Sequence, residues 1–162
     1  MRPLYLLPAS EVADVSLAEL GHILACRPRL VVGDVTIGQL ATLGDHPTGV
    51  YLFYARRTNS IQYVGKATSR SFVDRIPAHF DPRQDAWMNS LPKHVMKHRR
   101  CEYAEALQLA LGLELTLVGA TDQLPGGRIE TVLRAHLRPE LNFTKRRFDA
   151  SLTLAEACAT CA

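Results

Sequence analysis

Two short runs of β-branched and aromatic residues flank a polar stretch near the middle of the chain. Val50 to Tyr54 and Ile61 to Val64 have the composition that β-strands favour. Arg56 to Ser60, which lies between them, is polar, and its Asn59 tolerates a left-handed backbone. This pattern of apolar and polar positions predicts a β-hairpin.

The predicted hairpin would bring two phenols together. If it is symmetric about Arg57, Tyr51 lies opposite Tyr63. Because side chains alternate between the two faces of a sheet, both phenols would project from the same face. Gly49 and Gly65 would leave the backbone clear beside them. We therefore expect two hydroxyl groups to converge over one small area.

Apolar residues at near-helical spacing predict helices over much of the remaining chain. The expected helices cover Ser10 to Cys26 with Ser10 as the N-cap, Thr36 to Leu43, Ser69 to Phe80, Asp85 to Arg100, Glu102 to Leu111, Arg128 to Leu137, and a terminal segment from Ser151. Leu30 to Val32 is a candidate short strand, and Leu113 to Val118 alternates as a third strand would. Pro77 should kink or shorten its helix. Trp87 is expected to pack in the core or against a helix, and a stacking platform is the alternative interpretation.

Composition favours one compact domain with a substantial core. The chain has 162 residues, of which 47% are hydrophobic and 22% are charged. Its formal net charge of +3 and isoelectric point of about 8.8 permit a nucleic-acid partner without requiring one. Met1 to Leu7 is too short and too interrupted for a Sec signal peptide, and no later run could span a bilayer. We expect a cytoplasmic protein in a bacterial or phage-like setting, with no membrane partner.

Basic residues form two local clusters. The candidate nucleic-acid-binding residues are Lys93, Lys97, Arg99 and Arg100 near the end of one predicted helix, and Lys145, Arg146 and Arg147 after another. Such clusters either form solvated faces, with charges that favour a helix C-terminus, or contact the phosphates of a nucleic acid. The sequence leaves both interpretations open.

The four cysteines are too few and too scattered for a disulfide framework. Cys158 and Cys161 could form half of a zinc site, with another cysteine or a histidine completing it. Zinc sites normally show two ligand pairs at set spacing, and the second pair is missing here. Two small apolar cysteines at the end of a terminal helix are the alternative interpretation.

A paired motif connects the hairpin to a known family. Gly49-Val-Tyr51, followed after eleven residues by Tyr63-Val-Gly65, resembles the signature of the GIY-YIG nucleases, with Val for Ile in both halves. In that family the hairpin precedes a helix with an Arg, often followed by a His or Tyr, then a helix with a Glu, then an Asn after a Pro. Arg75 with His79, Glu130, and Asn142 after Pro139 follow in this order. The resemblance covers Thr48 to Lys145.

The resemblance implies a fold and a division of the chain. It predicts an α+β domain with a small three-stranded antiparallel sheet flanked by helices. The nuclease-like domain would cover residues 48–145, after an N-terminal helical extension at 1–47 and before a C-terminal helical tail at 146–162.

The resemblance also implies a metal-dependent DNA endonuclease. Glu130 would hold one Mg²⁺ or Mn²⁺ ion on the leaving-group side, and Arg75 would clamp the scissile phosphate. Tyr51 would be the general base, with its pKa lowered by nearby cations, and His79 is the rival base. The supporting candidates are Tyr63, Lys66 and Asn142. The Arg75 and His79 pair is most similar to restriction-type members of the family.

Other functions remain compatible with these residues. The enzyme could be restriction-like, could degrade a whole genome, or could be a structure-selective repair nuclease. A catalytically idle nucleic-acid-binding module and a zinc-stabilised interaction domain are the alternatives of a different class. With one site per chain, a homodimer would be the simple route to cutting both DNA strands.

Overall fold

A computed structural model describes residues 2–161. Within this range the strands are β1 (Leu6–Pro8), β2 (Leu30–Val31), β3 (Gly49–Ala55), β4 (Ser60–Ala67) and β5 (Glu114–Gly119). The α-helices are α1 (Leu17–Cys26), α2 (Ile37–Ala41), α3 (Phe72–Ala78), α4 (Ser90–Arg99), α5 (Tyr103–Leu111), α6 (Gly126–Leu137) and α7 (Leu154–Ala159). Among these residues no helix is both long enough and apolar enough to cross a bilayer.

The fold is α+β, but its sheet is larger than the sequence predicted. The strand order is β1-β5-β3-β4, and β2 pairs with β5 beside β1. The three central strands are antiparallel, as expected. The prediction of three strands is wrong because β1, in parallel, and β2, in antiparallel, extend the sheet at the outer edge of β5. The candidate strand at Leu30 to Val32 is confirmed as β2, although its place in this sheet was not predicted. The three residues of β1 carry too little alternation to be recognised, and distant pairing decides their conformation.

The hairpin forms with a register different from the predicted one. Tyr51 lies opposite Gly65, and Tyr63 lies opposite Phe53. The turn covers residues 56–59, and β4 contains one extra residue at a bulge. Together these two features move the partner of Tyr51 by two positions. The two phenols still share a face, because a shift of two positions preserves the alternation. Asn59 has the expected left-handed backbone, with φ of 54°.

The sheet is covered by helices on both faces. Val50, Leu52 and Tyr54 of β3 pack in one cluster with residues of α1, α6 and α7. Tyr51 and Phe53 pack on the other face, with residues of α2, α3, α4 and α5. Each fully buried Leu or Phe side chain contributes about 1.5–3 kcal/mol. Both ends of the chain thus add side chains to the core around the hairpin, and the boundaries at residues 47 and 145 stay predictions.

Several helices begin later than predicted. Helix α1 begins after Ser16, whose hydroxyl accepts a hydrogen bond from the backbone N–H of Glu19, so Ser10 is not its N-cap. Helix α3 is capped by Ser71 and is shortened near Pro77, as expected. Helix α4 begins at Ser90 instead of Asp85, and residues 81–89 form a loop. This loop runs along the opening of a cleft.

Candidate active site

A cleft of about 290 Å³ lies at the edge of the sheet, beside the middle of β4. Its walls come from the hairpin, from α3, from α6 and from two loops. The lining residues are Tyr51, Tyr63, Gly65, Lys66, Ala67, Thr68, Ser69, Arg70, Arg75, Trp87, Met88 and Glu130. Five predicted catalytic residues, separated by up to 79 positions from Tyr51 to Glu130, therefore line one cavity.

Gly65 allows the ring of Tyr51 to lie across strand β4. A Cβ atom at position 65 would overlap Cε2, Cζ and Oη of Tyr51. Glycine is therefore required at the position where the phenol reaches the cleft. Gly49 was expected to leave the backbone clear beside the phenols. Its backbone is instead covered, because it lies between Ala67 of β4 and Gly119 of β5.

Tyr51 is hydrogen-bonded to His79. The phenol oxygen and Nε2 of His79 are 2.7 Å apart. The backbone N–H of Leu91 donates to Nδ1 of the same ring at 3.2 Å, so Nδ1 carries a lone pair and the neutral ring has its proton on Nε2. Burial and, next, the charge of Arg75 lower the pKa of His79 well below its usual value, so the ring is neutral. His79 therefore donates and Tyr51 accepts.

Both phenols are less acidic than an exposed tyrosine. Burial, with a smaller contribution from Tyr63, raises the pKa of Tyr51 far above its usual value, while Arg75 opposes the shift. Burial also raises the pKa of Tyr63, whose hydroxyl lies 3.1 Å from Oγ of Ser90. The prediction that neighbouring cations lower the pKa of Tyr51 is therefore wrong for this state of the site, because desolvation outweighs the attraction of Arg75.

Arg75 projects from the last turn of α3 into the cleft. One terminal nitrogen of its guanidinium donates to the carbonyl of Met88 at 2.8 Å, and the other lies 3.5 Å from Oγ of Ser90. These bonds fix the guanidinium beside the two phenols. The arrangement brings a planar, permanently charged donor group to the cavity, as a phosphate clamp requires.

Glu130 enters the cleft from α6 and is paired with two cations. Its carboxylate lies 3.1 Å from Nζ of Lys66 and 3.8 Å from a guanidinium nitrogen of Arg134. The carboxylate side chain is only 13% exposed, so these pairs are partly shielded from water. The positive charges of Lys66 and Arg134 therefore balance the negative charge of the Glu130 carboxylate in this state of the site.

One carboxylate limits the kind of metal ion that this cleft could hold. Among the described residues, Glu130 is the one acidic residue that lines it, and no group of three or more His, Cys, Asp or Glu side chains is arranged to hold a metal ion. A hard oxygen donor fits Mg²⁺ or Mn²⁺ if the ion keeps most of its waters and takes further oxygens from phosphate. Lys66 would have to release the carboxylate oxygen that it contacts.

Asn142 supports the edge strand and lies outside the cleft lining. Its side-chain amide accepts from the N–H of Val64 at 3.1 Å and donates to the carbonyl of Val64 at 2.7 Å. Its own carbonyl accepts from Nε of Arg134 at 2.8 Å. A chain of contacts thus runs from β4 through Asn142 and Arg134 to Glu130, which agrees with a supporting role.

The two basic clusters lie outside the cleft. Among the described residues, none of the seven predicted nucleic-acid-binding side chains lines it. Lys93 is partly buried and donates to the carbonyl of Ala86, so it stabilises the loop before α4. The exposed members are Lys97, Arg99, Arg100, Lys145, Arg146 and Arg147. Helix α4 rises about 1.5 Å per residue from Ser90, which contacts the site, so its basic end lies roughly 10–15 Å away.

The cysteines of the zinc hypothesis lie in a hydrophobic cluster. Cys158 and Cys161 are buried among apolar residues of α1, α6 and α7. Cys101 packs against the cluster on the other face of the sheet, and Cys26 is exposed. Burial raises the pKa of Cys158 to about 11, which favours the thiol over the thiolate that zinc requires.

Three residues of the site were not identified from the sequence. Ser90 contacts Tyr63, Arg75 and His79, and nothing in its sequence context indicates this. Arg134 follows Glu130 by four positions, a helical spacing that could have suggested the pair. Trp87 lines the cleft and is 84% exposed, so the prediction that it packs in the core is wrong.

None of the protein-family models, curated proteins or solved structures with which the chain was compared matches it. The resemblance to GIY-YIG nucleases therefore depends on the motif residues and on their grouping around the cleft.

Proposed function

We propose that this chain is a metal-dependent DNA endonuclease that hydrolyses a phosphodiester bond in the cleft beside Gly65. The observation that supports this most is the convergence of Tyr51, Tyr63, Arg75 and Glu130 on one cavity, although four different elements carry them. The chemistry needs positive charge for the phosphate, a proton acceptor for water, and fixed positions for both. These side chains supply a group for each requirement.

Tyr51 is the better candidate for the general base. In its neutral form, His79 uses one ring nitrogen to accept from Leu91 and turns the proton of the other toward Tyr51. That arrangement leaves His79 without a lone pair directed at water in the cleft. The hydrogen bond from His79 also stabilises the negative oxygen of Tyr51 once the phenol has lost its proton.

The raised pKa of Tyr51 means that the resting phenol is protonated. Cations must therefore promote its ionisation when substrate enters. Arg75 already opposes the shift, and Lys66 would add a second charge on leaving Glu130. The phenolate would then accept a proton from the attacking water while Tyr63, held by its contact with Ser90, orients the phosphate.

Glu130 would hold the divalent ion, and Arg75 and Lys66 would contact the phosphate. When bound, Mg²⁺ or Mn²⁺ would supply positive charge to the leaving oxygen. Lys66 has a partner in either state, the carboxylate of Glu130 without substrate and a phosphate oxygen with it. Asn142 holds β4, and through it Gly65, in place during the exchange.

Cleavage of supercoiled plasmid tests this proposal. Wild type should nick or linearise it with Mg²⁺ or Mn²⁺ and not in EDTA, and Glu130→Gln should lose that activity. Glu105→Gln is the matched control, because Glu105 is exposed on α5 outside the cleft. Discrete fragments would indicate a restriction-like enzyme, a smear would indicate genome degradation, and cleavage confined to branched DNA would indicate a repair nuclease.

A catalytically idle nucleic-acid-binding module is the second candidate. The pairing of Glu130 with Lys66 and Arg134 favours it, since these cations occupy the carboxylate that a metal ion needs. This module would bind DNA in a salt-dependent way through the basic clusters. If wild type binds plasmid, branched DNA and RNA but cleaves none of them with either metal, the nuclease proposal is wrong.

A further inference from the structure

Trp87 occupies an unusual position at the rim of the cleft. It is the single tryptophan of the chain, and 84% of its surface is exposed. Trp87 lines both the cleft and a neighbouring cavity of about 380 Å³. An aromatic ring of this size normally packs against apolar groups. We therefore expect a ligand with a flat apolar face to bind against the indole.

The loop that carries Trp87 is anchored on both sides of it. Arg75 donates to the carbonyl of Met88 at 2.8 Å, and Lys93 donates to the carbonyl of Ala86. The buried side chain of Asn89 donates to the carbonyl of Arg83 at 2.9 Å. The backbone of both neighbours of Trp87 is therefore fixed, and one of the bonds comes from the proposed phosphate clamp itself.

The surroundings of Trp87 suit a nucleobase better than a protein surface. The loop residues that precede it are mostly polar and exposed, namely Pro82, Arg83, Gln84 and Asp85. The apolar neighbours of the indole, Ala78, Ala86 and Met88, are half-buried and do not form the extended exposed patch that a protein partner would favour. A single aromatic face beside cationic side chains is instead the arrangement that binds single-stranded nucleic acid.

Charge around the indole also fixes an orientation. The cleft is lined by Lys66, Arg70 and Arg75 against the one carboxylate of Glu130, so it attracts a phosphate. In the neighbouring cavity Arg83 is paired with Asp81, and the carboxylate of Asp85 leaves an excess of negative charge that repels a phosphate. A neutral base tolerates the acidic side, and its exocyclic amino group can donate to a carboxylate. The phosphate would thus lie in the cleft and its base would lie over Trp87.

We propose that the indole of Trp87 stacks on an unpaired base next to the phosphate held by Arg75, an inference that rests on the proposed function. In a regular duplex both faces of each base are covered by its neighbours. Stacking on Trp87 therefore requires a single strand, a mismatch, or a base turned out of the helix. The enzyme should prefer DNA that has an unpaired nucleotide beside the cleavage point.

Because Trp87 is the single tryptophan, its fluorescence reports this contact directly. The full-length chain in EDTA is titrated with a labelled duplex, the same duplex with one unpaired nucleotide, and the single strand. Anisotropy of the label measures binding, and indole emission measures stacking. At equal saturation, the unpaired substrates should quench the indole clearly and the regular duplex should not.

Variants separate stacking from general stability. Trp87→Ala should weaken binding of the unpaired substrates by about 5- to 150-fold, and Trp87→Tyr should restore most of it. Phe143→Ala is the matched control, since Phe143 is also exposed but lies outside the cleft lining. Its binding should equal that of wild type.

Unchanged indole emission at saturation, or equal affinity of Trp87→Ala and wild type, would overturn this inference. If metal-dependent cleavage persists in that case, the proposed function stands and only the role of Trp87 fails. If no DNA binds at all, the proposed function fails first and this inference fails with it.

Discussion

The phenol oxygen of Tyr51 accepts a hydrogen bond from Nε2 of His79 across 2.7 Å in the buried part of the site. The direction of this bond follows from the backbone N–H of Leu91, which occupies the other ring nitrogen. His79 thereby orients Tyr51 and stabilises its negative form. Of the two residues, Tyr51 lines the cleft, whereas both ring nitrogens of His79 are engaged within the protein.

Cleavage should accelerate with pH beyond the range in which a histidine titrates. Burial raises the pKa of Tyr51, so the phenolate fraction increases about tenfold per pH unit. We expect the logarithm of the single-turnover rate constant of cleavage to rise with a slope near one between about pH 7 and pH 9. A plateau from about pH 7 upward would instead identify His79 as the base. His98→Gln is the control, because His98 is an exposed histidine that pairs with Glu140. Its dependence of cleavage on pH should equal that of wild type.

Acid should destabilise the fold through His79. Burial lowers the pKa of His79 well below its usual value, whereas an unfolded histidine takes up a proton below about pH 6.5. The unfolded state therefore binds more protons, and this group should lower the free energy of unfolding by about 1.4 kcal/mol per pH unit below pH 6.5. Above that pH its contribution should be constant.

Urea unfolding between about pH 7 and pH 5 measures this dependence. His79→Gln should be less stable at pH 7, because it loses the bond to Tyr51, but its stability should fall less steeply with acid. His22→Gln is the control, since His22 is exposed on α1. Equal slopes for His79→Gln and wild type would show that another group is responsible.

Gly65→Ala should disturb the position of Tyr51. The new Cβ would overlap the ring, and relieving such overpacking costs about 1–3 kcal/mol. We expect that loss in urea unfolding, together with a fall in kcat of about tenfold or more, because a displaced Tyr51 is misaligned with the phosphate. Gly127→Ala is the matched control, since nothing lies within 4 Å of a Cβ there. Full activity in Gly65→Ala would contradict the proposed role of Tyr51.

The exposed basic residues should determine the salt dependence of DNA binding. Replacing Lys97, Arg99 and Arg100 of the α4 end by Gln should weaken binding of any sequence to a similar degree. If each contacts one phosphate of duplex DNA, the slope of log K against log salt should become less negative by about 0.9 per residue. Anisotropy titrations at several salt concentrations measure the slope. Arg57→Gln, at the exposed hairpin turn, should leave it unchanged, and an unchanged slope in the triple variant would exclude the α4 end from the interface.

The sequence by itself determined the hairpin, the α+β class and the face that Tyr51 and Tyr63 share. These features depend on local properties of the sequence. The alternation of side chains has a period of two, so it is visible in neighbouring residues and is unchanged by a register shift of two positions. The motif also identified Arg75 and Glu130 as residues that would meet the hairpin, before any contact was known.

Tertiary structure alone decided the register, strand β1, the place of β2 in the sheet and the electrostatics of the site. Tyr51 faces Gly65 because of the bulge and the turn, and β1 and β2 exist because β5 offers an edge to pair with. The raised pKa of Tyr51, the neutral His79 and the exposure of Trp87 depend on which distant residues pack against each group. Which remote segments pair, and which polar groups they bury, leaves no periodic trace in the sequence, so only the folded chain reveals these contacts.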